Sequence, residues 1–134
     1  MISILILVAL KFCLYCGIAI YAAKVFEFGV NNIVRFALTW GGIRLFVGLV
    51  FGFFIFYAFL LFVDGGMSEA LAYFLTFGLS RYIEWTIVFA FMLWRHRKQM
   101  GIVAQRFILA GTAINIAIDQ VAIASGLTNI KFFC

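Results

Sequence analysis

Five ionisable residues interrupt the long apolar runs of this sequence: Lys11, Arg44, Arg81, Glu84 and Asp119. A charge at the centre of a bilayer costs at least about 2.5–3.5 kcal/mol on insertion scales, so such residues face protein or a wet cavity and mark candidate solute or ion sites. At 1.5 Å per residue, Lys11, Arg44, Arg81 and Glu84 fall roughly 12–20 Å along their runs from the basic end, in one layer. Asp119 falls about 25 Å along the last run, nearer the opposite face. Three cations against two carboxylates leave one positive charge unmatched. An anionic head group, a phosphate or a carboxylate would balance it. Together with Asn115, on the same helical stripe as Asp119, these residues form a candidate substrate or ion site. A structural role competes with this. Arg81 then pairs with Glu84 three residues on, and Arg44 pairs with Asp119 or a backbone carbonyl. A partner on a second chain is the third possibility.

Other chemistry is thin. Cys13-Leu14-Tyr15-Cys16 has CxxC spacing, but it lies deep in an apolar run with only Cys134 beyond it. A membrane thiol oxidoreductase needs a second cysteine pair, so these cysteines are expected as small packing residues. His96 is the only histidine, too few for haem or a structural metal site. No HExxH, GxSxG or phosphate-cradling loop is present. Neither metal nor cofactor is expected.

The elements that position these residues follow from composition. Of 134 residues, 67% are hydrophobic and 11% charged, with no proline and a mean hydropathy of +1.19. A chain this short still exposes roughly 30% of its unfolded surface, so a soluble monomer is excluded. A span needs about 20 apolar residues. Four stretches qualify: about 2–23, 36–63, 70–94 and 102–127. Barrel strands alternate apolar and polar; Phe51-Gly52-Phe53-Phe54-Ile55-Phe56 does not. The expected fold is all-α, a polytopic four-transmembrane-helix bundle forming one membrane domain over 1–134. No Lys or Arg precedes the first run, which is expected as an uncleaved span rather than a signal peptide.

Each span offers a small or polar stripe. Gly41, Arg44, Gly48 and Gly52 share one face, with Gly48 and Gly52 forming GxxxG, which lets helix backbones approach closely. Ala9, Cys13 and Gly17 form a small ridge, Thr76, Ser80 and Glu84 a polar one, and Gly111, Asn115, Asp119, Ala122 and Gly126 another. In the acidic second connector, Ser68 or Asp64 suits a helix cap. Arg35-Phe36-Ala37-Leu38 and Arg106-Phe107-Ile108-Leu109 suggest a doubled helical hairpin.

Lys24, Arg35, Arg95, Arg97, Lys98 and Arg106 lie in or beside the first and third connectors, and Asp64 and Glu69 in the second. The positive-inside bias places the basic connectors in the cytoplasm and both termini on the periplasmic or outer side of an inner membrane. Arg95, Arg97, Lys98 and Arg106 are the basic anchor, attracted to anionic lipid at about 1 kcal/mol each. Nucleic-acid binding is not expected, because no soluble fold exists to shape a groove. Expected partners are membrane lipid and either further copies of the chain or other membrane subunits. A small transport or permeation protein is the leading functional expectation. A non-catalytic subunit of a larger complex is the second, and a membrane enzyme or flippase acting on an anionic or lipid-linked substrate the third.

Overall fold

The computed structural model describes residues 2–124, and every element among them is helical. Helix α1 is Ile2–Val25, α2 is Ile33–Asp64, α3 is Glu69–Tyr73, α4 is Leu79–Arg95 and α5 is Ile102–Ala124. A π-helical turn, Phe74–Gly78, joins α3 to α4 without a break. Gly126 and Cys134 lie outside the described residues, as does the end of the fourth expected span. Three helices, α1, α2 and α5, are long and apolar enough to cross a membrane. At 1.5 Å per residue, the 32 residues of α2 reach about 48 Å, well beyond a hydrocarbon core of about 30 Å.

The helix ends follow local chemistry. Asn32 starts α2, its side chain accepting from the Arg35 amide at 3.0 Å. Ser68 starts α3 by accepting from the Leu71 amide, and Glu69 puts an acid in the first turn. Each connector leaves its helix through a residue at positive φ, Glu27, Gly66 or Arg97, and the first has a second such residue at Gly29. At each helix exit, the next amide reaches back five residues: Phe28 to Ala23 at 3.2 Å, Met67 to Phe62 at 3.1 Å, and Lys98 to Leu93 at 2.8 Å. This is the Schellman closure, which suits glycine best because it needs a left-handed residue. The first and third connectors thus close alike, but the π turn of the second helical hairpin has no counterpart in α1.

The polarity of the bundle is inverted relative to a soluble protein. Large apolar side chains such as Leu5, Phe46, Phe54, Leu61, Trp94 and Val121 are exposed, whereas Lys11, Arg44, Arg81, Glu84, Asn115 and Asp119 are buried. Helix α1 packs on α2, α2 on α4, and α4 on α5, and α1 meets α5 less extensively than these pairs. One apolar cluster, including Ala19, Trp40, Phe89 and Ile108, fills the end near the first and third connectors. A second, of Phe59, Ala72, Tyr73, Phe77 and Ala122, fills the other end. The buried charges lie between them.

Glycines permit two close approaches. A Cβ at Gly41 would sit 2.7 Å from Cys16 Sγ, and one at Gly111 would sit 2.6 Å from the Trp85 ring. The small ridge expected on α1 is corrected: Ala9, Cys13 and Gly17 face outward, and Lys11, Tyr15, Ala19 and Ala22 face inward. Lys11 cannot remain in lipid, and 100° per residue then turns Cys13 to the far side.

Two stability tests follow. Gly111→Ala drives a methyl into the Trp85 indole and is expected to destabilise the fold by about 1–3 kcal/mol. Glu27→Gly relieves a left-handed residue on an exposed connector and is expected to stabilise it by about 1 kcal/mol. Reversible unfolding in mixed micelles reads both changes, and equal stabilities for all three proteins would contradict these close contacts and backbone strain.

Candidate functional site

Each helix brings one to three polar groups to the layer between the apolar clusters. Helix α1 supplies Lys11 and Tyr15, α2 supplies Arg44, and α5 supplies Asn115 and Asp119. Tyr73 comes from α3, and Arg81, Glu84 and Trp85 from α4. The π turn aligns this last set. Eight residues of straight α-helix would rotate Arg81 by roughly 80° from Tyr73. The wider turn cancels most of that rotation, so both side chains face Asp119, at 3.5 Å for the tyrosine hydroxyl and 3.7 Å for Arg81 Nε. Thr76 and Ser80 steady the turn by donating to the Ala72 and Phe77 carbonyls at 2.6 and 2.9 Å.

Glu84 is the hub. Its Oε2 accepts from Arg44 Nη2 at 2.7 Å and from Arg81 Nη1 at 3.0 Å, and its Oε1 lies 3.2 Å from Arg81 Nη1. Asp119 pairs with Lys11 across the α1–α5 seam and with Arg81 on α4. The structure therefore corrects the pairing expected for Arg44: its ion-pair partner is Glu84, not Asp119. Helix α2 lies against α4, so the Arg44 guanidinium meets the α4 carboxylate first. Asp119, placed nearer the outer face by counting residues, joins the same layer as the others.

Arg44 also lies over two aromatic faces, 5.0 Å from the Tyr15 ring centre and 4.8 Å from that of Trp85. Such cation–π contacts strengthen when desolvated. The Asn115 amide is oriented by its network. Its nitrogen donates to the Tyr15 hydroxyl at 2.8 Å, and its oxygen accepts from Trp85 Nε1 at 2.9 Å and Arg44 Nη2 at 3.1 Å. Tyr15, Tyr73 and Trp85 were not among the residues expected from sequence. Tyr15 had a usable signal, since it stands one turn after Lys11 on the same face. Tyr73 had none, because its alignment depends on the π turn.

Among the described residues, Arg44 Nε and Nη1 and Arg81 Nε and Nη2 have no hydrogen-bond partner, although both side chains are almost fully buried. A Cβ at Gly48 would sit 3.0 Å from Arg44 Nη1, 3.8 Å from Arg81 Nη1 and 3.8 Å from Glu84 Oε2. Gly48 therefore lets the Arg44 guanidinium lie against bare backbone, with Arg81 Nη1 close by. Gly41 and Gly52 are buried on the same face of α2. Among the described residues, two grooves run along the α1–α5 seam, one on each side of Lys11 in register. The larger, about 550 Å³, is lined by residues including Cys13, Gly17, Tyr21, Arg106 and Gly111. The smaller, about 230 Å³, is lined by Leu7, Leu10, Ala117, Ile118, Val121 and Ala122.

The basic residues Arg95, Arg97, Lys98 and Arg106 are exposed and lie apart from this layer. Beside them, the His96 ring stacks on Phe28 at 4.4 Å and meets Phe36 edge-on at 5.5 Å. Burial and the adjacent Arg95 charge hold the His96 imidazole below its ordinary range. Among the described residues, no group of three or more His, Cys, Asp or Glu side chains is placed to hold a metal. Comparison with protein-family models, curated proteins and solved structures gives no match for this chain.

Two outcomes are expected. Glu84→Leu leaves two buried guanidiniums without their shared carboxylate and destabilises by about 3–5 kcal/mol. Replacing Arg81 together with Glu84 by leucine should lose less. Unfolding in micelles measures both, and a harmless Glu84→Leu would refute the hub. For His96, the lowered value means that the unfolded chain binds the proton more readily. Its contribution is complete above about pH 6.5 and is lost as pH falls through the folded value. His96→Phe keeps the stack, so its stability should fall less than wild type between pH 7.5 and pH 5; parallel falls would contradict this.

Proposed function

We propose that this chain is a four-crossing membrane protein of the transport or permeation type, with the buried charge layer as its solute site. One observation carries the proposal. Five ionisable side chains drawn from α1, α2, α4 and α5 converge in one layer, with an excess of cations and with guanidinium N–H groups that find no acceptor among the described residues. A bundle that needed only bracing could reach its stability with apolar packing, since replacing buried ion pairs by well-packed apolar groups is often neutral or stabilising.

The continuous segment from Glu69 to Arg95 would make the fourth crossing. It reaches about 40 Å at 1.5 Å per residue, and its internal charges dilute its hydropathy. The stacking of Phe28 on His96 supports four crossings, because it puts the first and third connectors at the same end. The basic residues of those connectors would then face the cytoplasm of an inner membrane, with both termini opposite. Oligomerisation through the exposed aromatic face of α2, at Phe46, Phe53, Phe54 and Tyr57, fits this reading.

Light-scattering measurements on proteoliposomes in potassium chloride, nitrate, acetate and gluconate, with and without a potassium ionophore, test it. The wild type should take up at least one of these salts, and Arg81→Leu combined with Glu84→Leu should abolish the uptake while the protein still elutes as a folded species. Unchanged uptake in that double variant, or none in folded wild type, would refute the site and favour a bracing subunit.

A further inference from the structure

The sign and number of the buried charges restrict the ligand further. Among the described residues of the layer, two guanidiniums and one lysine face two carboxylates. An uncompensated charge in such surroundings costs several kcal/mol. The donors are also in surplus. Both oxygens of Glu84 are engaged, and Asp119 already meets Lys11, Arg81 and Tyr73. Arg44 Nε and Nη1 and Arg81 Nη2 remain without acceptors among the described residues. Arg44 is 1% and Arg81 3% exposed, so neither is expected to turn these groups to bulk water.

We propose that Arg44 and Arg81, beside Gly48, bind one small monovalent anion of the halide or nitrate kind, and that Lys11 takes up one proton as it binds. This rests on the transport reading and names its solute. Monovalency follows from two facts. One negative charge neutralises the layer, and Glu84 Oε2 lies close enough to the guanidinium edges at Gly48 to repel a second.

The proton follows from side-chain chemistry. A guanidinium does not give up its proton in a protein, whereas a lysine ammonium can. Lys11 is therefore the one cation of the three able to change its charge. Among the described residues, the charged groups acting on it are Asp119 from α5, Arg81 from α4 and Arg44 from α2; Glu84 is held by the two arginines, and Tyr15 and Tyr73 bring hydroxyls to Asn115 and Asp119. With the anion bound and Lys11 protonated, three positive charges meet three negative ones. With the anion gone and the proton released, two meet two. Both states are neutral, so anion and proton enter and leave together. Lys11 is also the least enclosed charged member, with 9% of its side chain exposed against 3% or less for the other four. That gives the proton its point of exchange at the α1–α5 seam.

Isothermal titration of the full chain in nanodiscs of zwitterionic lipid tests this, with potassium chloride as probe and potassium gluconate as reference. Running it in two buffers of different ionisation enthalpy counts the protons. Wild type should bind chloride saturably and take up about one proton per chloride at pH values where free Lys11 is neutral. Lys11→Met should weaken chloride binding at least about tenfold. Lys11→Arg, which fixes the positive charge, should bind chloride with no proton uptake, and it decides the matter if Lys11→Met does not fold. No saturable binding by folded wild type, or the same proton uptake in Lys11→Arg, overturns the inference. Cluster-dependent salt uptake in liposomes without chloride binding would overturn the inference and leave the transport reading standing. Chloride binding without uptake of any salt would overturn the transport reading and leave the anion site standing.

Discussion

The Glu84 carboxylate, shared by Arg44 of α2 and Arg81 of α4, is the contact on which the rest of the bundle depends. A bilayer offers these groups no water, and leaving either guanidinium unpaired would cost several kcal/mol. The pairing therefore dictates the packing. Helices α2 and α4 must lie close, which places Gly48 against the Arg44 guanidinium. Asp119 and Lys11 then fasten α5 and α1 to the same layer. Apolar side chains seal the layer at both ends, so the Coulomb attraction inside it is stronger than it would be in water.

This arrangement trades the usual order of polarity. In a soluble domain the apolar core drives folding and charges stay outside. Here the exterior is apolar, and lipid gives no such drive to helix association. Ion pairs, cation–π contacts and close glycine contacts are left to specify which helices meet. Among the described residues, the α1–α5 seam carries Lys11–Asp119 and Tyr15–Asn115, and the two grooves lie along it.

Much of this was legible in the residues. An all-α chain, apolar helices long enough to cross a membrane and most helix limits followed from hydropathy. The faces carrying Arg44, Glu84 and Asp119 followed from helical periodicity. What periodicity could not reveal was pairing. Arg44 has equivalent claims on two carboxylates until the order of helices around the bundle is known. The π turn escaped because it leaves the apolar pattern intact and changes only the angle between Tyr73 and Arg81. The Ala9, Cys13 and Gly17 ridge misled because small residues suit a packing face and a lipid-facing groove equally; the charge on Lys11 decided between them. The proposed fourth crossing is hard to recognise for a related reason: the buried charges of the segment from Glu69 to Arg95 are those that lower its hydropathy.

Crystals of the protein grown or soaked in bromide test the central claim most directly, that the layer is a site for an anion and not only a set of braces. The account predicts an anomalous peak within contact of the Arg44 and Arg81 guanidiniums beside Gly48, with Glu84 still bridging them. Bromide found only at exposed basic residues such as Arg97 and Lys98, with the Arg44 and Arg81 N–H groups satisfied by other atoms, would contradict it.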